Sequence, residues 1–322
     1  MYIFTFFPKQ MLWKGDCMSG QLTQRGAEQH YNIGKRMREI YVEKLGFLPA
    51  KLNVSEIYVR STDVWRTKVS AMFDLAGMFP AEAREPGTAI KYEVYPYDLD
   101  TGYPNSKACP KMMTHIDACK NSSEWLAHEA ELDSLLEKLA RVCGTARLAA
   151  RKYTDAFHTR VCHGMPLPCN KQTGECVTDE DAQRIFDAGD FEKNRLYTWG
   201  EGITPTVVGF FAEEVYENIK RGLVDGSPRY AYYSAHDDTL TALLGGFGLE
   251  AAKVWPPYAS SFILETWASK TVRGQYYVRI IFNGQLQKVA ACSNPELCTF
   301  EEFSAIIKKT FLVTDYNAQC AV

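Results

Sequence analysis

An α/β fold with an inserted helical region is what this sequence predicts, on three observations. In the first and last thirds, short apolar strand-like runs alternate with helix-period stripes. Near the C-terminal end, Asn283-Gly284 sits between two runs of strand-forming residues, the signal of a type I′ hairpin turn. Between about Gly102 and Trp199 the character changes, and six of the ten cysteines gather there among short helical patterns.

Each element follows from local chemistry. Thr23 suits an N-cap, and Ala27, Ile33, Met37, Ile40 and Tyr41 then recur at helical spacing up to Gly46. Glu56-Ile57-Tyr58-Val59 reads as a buried strand. A second helix follows Ser61-Thr62-Asp63, with Val64, Thr67, Ala71, Leu75 and Met78 on one stripe and Pro80 ending it. In the middle third, Trp125 to Leu139 is helical, and Pro166-Leu167-Pro168 excludes both a helix interior and a central strand. The last third is expected to hold a helix over 206–221, a strand over 229–234, and a short helix from Thr239 closed by Gly245-Gly246. Strands over 261–268, 275–282 and 285–290 complete a mixed sheet with helices on both faces. The expected division is a core of 1–102 and 201–322 with a helical, cysteine-rich cap over 103–200.

Bulk composition narrows the function classes. The net charge of −3 gives no basic stripe for nucleic acid. No run approaches the length needed to span a bilayer. Met1 to Phe7 lacks the basic start and cleavage site of a signal peptide. The cysteine spacings 162/169/176 and 292/298 suit loop-closing disulfides in an oxidising compartment, whereas no C-x-x-C supports zinc. Asn53-Val-Ser and Asn121-Ser-Ser are sequons that add little.

Candidate chemistry lies at two strand-to-helix turns. Ligands in open α/β sheets bind beyond the carboxyl ends of strands, where helix N-termini favour phosphate. Arg60 follows one strand and could grip two phosphate oxygens; its bland alternative is an ion pair with Asp63 or Glu56. His236 and Asp237 follow the other strand. His236 could donate to phosphate, and Asp237, beside a dianion, could stay protonated as a general acid; either could instead merely cap a helix. Arg66 and Lys68 read as residues of a solvated helix face, Trp65 has no assigned role, and His30 reads as packing or surface.

The blocks Tyr58-Val59-Arg60-Ser61-Thr62-Asp63-Val64-Trp65-Arg66-Thr67 and Tyr232-Tyr233-Ser234-Ala235-His236-Asp237-Asp238-Thr239-Leu240 resemble those of the histidine acid phosphatases of prostatic and lysosomal type. Gly20-Gln21-Leu22-Thr23 with Gly26 and Gln29, Pro256 to Phe262 with Glu265, and Cys298-Thr299-Phe300-Glu301 extend the resemblance over nearly the whole chain. It implies a phosphoglycerate-mutase-like three-layer sheet core with a helical cap, and hydrolysis of phosphate monoesters at acid pH through a phosphohistidine, without metal or other cofactor. It also implies that Arg60 and His236 bind the phosphate, that Asp237 protonates the leaving oxygen, and that the protein travels to a lysosomal, endosomal or extracellular location. The oligomeric state, a homodimer included, stays open.

The same family carries an Arg-His-Gly block upstream of Gly-Gln-Leu-Thr, and residues 1–19 contain no histidine. No nucleophile is found. Cys162-His163-Gly164 is a superficial echo, set in the cap with prolines behind it. Tyr2 to Phe7 has strand-forming composition and could fill the place of the lost strand, with Pro8-Lys9-Gln10 at the catalytic turn. Two readings follow. In one, the chain is an acid phosphatase whose record starts at an internal methionine. In the alternative it is a catalytically inactive relative that binds phosphorylated ligands or a protein partner. An in-frame Arg-His-Gly upstream of Met1 would decide for the first.

Overall fold

A computed structural model describes residues 20–200 and 202–322. The expectations for Tyr2 to Phe7 and for Pro8 to Gln10, and Cys17 with them, lie outside the described residues. Helix α1 (Gln24–Arg38) starts as expected: Thr23 is extended, and its hydroxyl accepts from the Gly26 amide at 3.2 Å. A π-turn over Glu39–Lys44 carries it on towards Gly46. Strand β1 (Ile57–Ser61) leads into α2 (Trp65–Met78). Helices α1 and α2 touch backbone to backbone: a Cβ on Gly34 would meet the Asp74 carbonyl oxygen at 1.8 Å, and one on Gly77 the Tyr31 carbonyl oxygen at 2.1 Å. Only glycine permits that approach at these two positions.

The middle of the chain is helical: α3 (Lys111–Lys120), α4 (Ser123–Cys143), α5 (Ala150–Cys162) and α6 (Asp179–Thr198). Ser122 caps α4 and Thr178 closes a capping box on α6, so both helix starts are set by local side chains. Leu135, Leu139, Tyr153, Phe157 and Ile185 from α4, α5 and α6 form a hydrophobic cluster of their own. Helix α7 (Ile203–Asp225) is longer than its sequence pattern, and leads to β2 (Tyr230–Ser234) and α8 (Asp237–Gly246). Strands β3 (Phe262–Ala268), β4 (Tyr276–Phe282), β5 (Gln285–Leu286) and β6 (Cys298–Thr299) precede α9 (Phe300–Ile306). Phe211, Leu244, Val278, Phe303 and Phe311 join α7, α8, β4 and the C-terminal helical segment in the main core.

Strands β1 and β2 pair in parallel, while β3, β4 and β5 form an antiparallel group with β6 on β4. Asn283 and Gly284 both have positive φ, 49° and 78°, as a type I′ turn demands. The strand after it stops at Leu286 rather than Ala290, because the chain turns away once Gln287 has donated to Ile280.

The cysteines need a correction. Cys169–Cys176 and Cys292–Cys298 close the expected short loops, and Cys109–Cys320 ties the start of the helical region to the C-terminus. Cys119, Cys143 and Cys162 are free thiols. Cys119 and Cys143 are buried in hydrophobic clusters, where a thiol behaves as a small apolar side chain, and burial pushes the Cys143 thiol up to about 12. No helix among the described residues is long and apolar enough to cross a membrane, and these residues hold no cluster of metal-ligating side chains.

Candidate active site

Parallel register brings two strand ends together. Ser61 of β1 lies opposite Ser234 of β2, so both strands leave the sheet at one level and both continue into helix N-termini. Unpaired amides at the starts of α2 and α8 give this edge positive potential. His236 is the extended N-cap residue of α8 and its ring makes no cap bond to its own helix. Its Nε2 instead lies 2.9 Å from Thr62 Oγ1, and Thr62 Oγ1 lies 2.9 Å from Thr67 Oγ1. Thr67 in turn donates to the Val64 carbonyl at 2.8 Å. The relay is consistent if Nε2 carries the proton, which leaves Nδ1 to accept from Arg66 Nη2 at 3.4 Å. Burial, then the Arg66 charge, lower the His236 pKa to about 4, against the pull of Asp237. In this state the imidazole is neutral near pH 7.

Arg66 and Arg60 lie the opposite way round from the sequence expectation. Alternation along β1 turns Arg60 to the face covered by α7, where it is 1% exposed. Its Nη2 donates to Asp100 Oδ1 at 2.9 Å and Thr101 Oγ1 at 3.1 Å, Nη1 pairs with Glu214, and the guanidinium sits 4.4 Å over the Tyr95 ring. With those partners it is committed to the buried Asp100 and the half-buried Glu214, and it does not line the cleft that contains His236 and Asp237. Arg66, in the first turn of α2, does line that cleft. Helical side chains tilt back toward the N-terminus, so an arginine there reaches past the helix start to the strand ends. That direction is the signal from which it could have been read. Lys68 does lie outward and pairs with Asp63 at 2.5 Å, and Trp65 is exposed.

Arg60 acts one layer below. Asp100 also accepts from the amides of Asp63 and Gly102, at 3.0 and 2.9 Å. The pair thereby braces the loop that brings Tyr103 edge-on to His236, with ring centroids 5.8 Å apart.

Asp237 is more heavily partnered than the sequence indicates. Its Oδ2 accepts from Lys193 Nζ at 2.8 Å and from Trp255 Nε1 at 2.5 Å, and its Oδ1 accepts from the Asp238 amide at 3.1 Å. Burial works to raise its pKa, but Lys193, Trp255 and His236 together prevail and lower it. Asp237 is therefore ionised in this state, not held protonated. Lys193, Trp255 and Thr62 were invisible to sequence reasoning, since each meets the site through helix or loop packing. The cap helix α5 also contributes Asp155, whose carboxyl burial and the Asp237 charge push up to about 7.

Of the remaining histidines, His158 of α5 and His30 of α1 line the same cleft, His158 edge-on to Trp255 with ring centroids 6.1 Å apart. His163 ends α5 and is not among the residues lining the cleft. His30 on α1 reaches the buried Asp74 of α2, 3.8 Å away, so its role is packing between the two helices.

Parallel strand ends, paired helix N-termini and a His-Asp turn beside an arginine together make the candidate site of this α/β fold. The family model described as "Histidine phosphatase superfamily (branch 2)" matches residues 5–283, and the chain belongs to that family. Counting factor 60 of Dictyostelium discoideum is 30% identical, covering 98% of this chain and 75% of its own length. Lysosomal acid phosphatase of Xenopus laevis is 27% identical over 94% of this chain and 71% of its own. Among solved structures, a phytase from Citrobacter braakii superposes with a TM-score of 0.68 at 16% identity, covering 99% of this chain and 93% of its own. A Hafnia alvei phytase in complex with tartrate reaches 0.70 at 14% identity, over 96% and 91%. At such identities the structural likeness concerns the fold, and it agrees with an α/β core carrying a helical region.

Proposed function

We propose that this chain is a histidine acid phosphatase-type protein that binds phosphate monoesters between Arg66 and His236, with Asp237 as the proton donor to the leaving oxygen. The observation that carries the reading is the approach of Arg66 to His236 at the joined ends of β1 and β2, with Asp237 one residue further on. Arg66 supplies a fixed charge and paired donors for two phosphate oxygens. A phosphate arriving there raises the proton affinity of His236, which then donates from both ring nitrogens. The same dianion raises the pKa of Asp237 and readies it to give up a proton. Arg60 takes a structural role beneath, and residues 103–200 act as a cap over the strand ends. The disulfides and the acid phosphatase relatives support a secretory or lysosomal setting.

Phosphoryl transfer through a phosphohistidine needs a further imidazole. The chain's six histidines are 30, 115, 128, 158, 163 and 236, and none falls in the first nineteen residues. Residues 1–322 on their own are proposed to bind phosphate monoesters with negligible turnover. Calorimetric titration with phosphate and vanadate should show saturable binding to one site, and p-nitrophenyl phosphate should be hydrolysed negligibly at about pH 5, where an acid donor would be active. Absence of anion binding would sink the site. Robust turnover that disappears in His163→Ala would instead put the nucleophile in the cap.

A further inference from the structure

The turn that carries the proposed acid holds two adjacent carboxylates, and their counter-charge comes from another part of the chain. Lys193 on α6 is buried, and its ammonium bonds Asp237 Oδ2 at 2.8 Å and also pairs with Asp238. The indole of Trp255 lies over it, 4.2 Å from ammonium to ring centroid, while donating to the same Asp237 oxygen. A lysine ammonium loses most of its hydration in such a place and stays charged only through its partners. Here both partners are carboxylates in the first turn of α8, where the helix dipole also favours negative charge. Lys193 thus turns two negative charges beside the phosphate site into a net of one.

We propose that Lys193 is a positioning residue for the acid–phosphate pair: it neutralises the Asp237–Asp238 carboxylates from the cap side, so that a phosphate dianion can enter beside Asp237 well above acid pH. This rests on the phosphate site proposed above. The other groups facing Asp237 do not replace Lys193. Asp155 of α5 adds negative charge, and His158 of α5 is held neutral by burial. Asp190 of α6 is bonded to the Trp255 amide, Tyr197 of α6 faces Asp238, and His236 is neutral. Arg66 of α2 approaches the opposite side of the His236 ring and is the cation proposed to hold the phosphate itself.

The test is calorimetric binding of inorganic phosphate to the full chain from pH 4.5 to 7.5, with each variant expressed as a ratio to the parent at the same pH. That ratio cancels the titration of phosphate itself. Lys193→Met should bind at least about tenfold more weakly at pH 7 and recover toward the parent at pH 4.5, as the uncompensated carboxylates protonate. Lys193→Arg should stay near the parent throughout. Asp238→Asn should bind several-fold more tightly at pH 7, since the whole ammonium then serves Asp237. A parent that binds no phosphate at any pH would overturn the site reading and this inference together. A parent that binds, with ratios independent of pH in Lys193→Met, would overturn this inference alone. Should Lys193→Met fail to fold, a pH-independent ratio for Asp238→Asn overturns it equally.

Discussion

The starts of α2 and α8 sit side by side at the ends of paired strands, yet they are charged in opposite ways. The α2 start carries its own cation: Arg66 is in the first turn and reaches His236 at the strand ends, where phosphate is proposed to bind. The α8 start carries Asp237 and Asp238 and receives its cation from Lys193 on a cap helix. Negative side chains suit a helix N-terminus, so the second arrangement favours the helix but burdens an incoming phosphate. The first does the reverse, since a cation at a helix start costs the helix and favours the anion. On the function proposed above, the α2 turn binds the anion and the α8 turn donates the proton, with Lys193 as its counter-charge.

Substitutions that separate the two arginines should test this contrast most sharply. Arg60→Ala leaves Asp100 buried without its cation, and breaking such a pair costs about 3–5 kcal/mol of stability. Chemical denaturation should show that loss, with phosphate affinity changed little in whatever fraction folds. Arg66→Ala should do the opposite. Removing a charged partner from a desolvated anion site costs about 2–5 kcal/mol of phosphate binding by calorimetry, and the denaturation midpoint should fall less than in Arg60→Ala. Equal loss of phosphate binding in both variants would break the assignment of Arg66 to the anion.

A smaller effect concerns His236. After burial, the Arg66 charge is the largest cause that holds its pKa down to about 4. In Arg66→Ala the ring should therefore titrate at higher pH, and bound phosphate should raise it further in the parent; NMR of the imidazole protons reports both. The folded pKa lies below the ordinary value near 6.5, so the unfolded chain binds the extra proton between these limits. Stability from this group is complete above about pH 6.5 and is lost as pH falls toward 4.

Asp155 provides the opposite slope on the cap side. Its folded pKa is raised to about 7, above its unfolded value, so its contribution is complete at low pH and is lost as pH rises through about 7. Asp155→Asn should flatten that decline, raising thermal stability at pH 8 relative to the parent while changing little at pH 4. A parallel displacement of the whole stability curve would show that Asp155 does not face the Asp237 charge in solution.

Much of this architecture can be read without coordinates, because the rules that set it are local. Thr23 caps α1, Pro80 follows the end of α2, and Asn283-Gly284 adopts positive φ at both positions, each through contacts within a few residues. The strand-helix order and the adjacency of His236 and Asp237 at a strand end follow in the same way. Strand-end position alone, however, points to Arg60 and passes over Arg66. Which arginine faces the cleft depends on the face of β1 that α7 covers, and Glu214 and Asp100 claim Arg60 there.

The cysteines divide along the same line. Cys292 with Cys298 is close enough in sequence for loop length to suggest the pairing, whereas Cys169 lies equally far from Cys162 and Cys176 and only the fold chooses Cys176. Cys109 with Cys320 spans 211 residues, and Cys119 and Cys143 stay unpaired inside apolar clusters that only helix packing creates. The order of elements, the turn chemistry and the family are legible in the residues alone, since periodicity, caps and motifs act over a few residues. The tertiary structure alone decided which charges face one another, including Lys193 against Asp237. Pairing of that kind depends on how distant helices pack and on how little water remains between them.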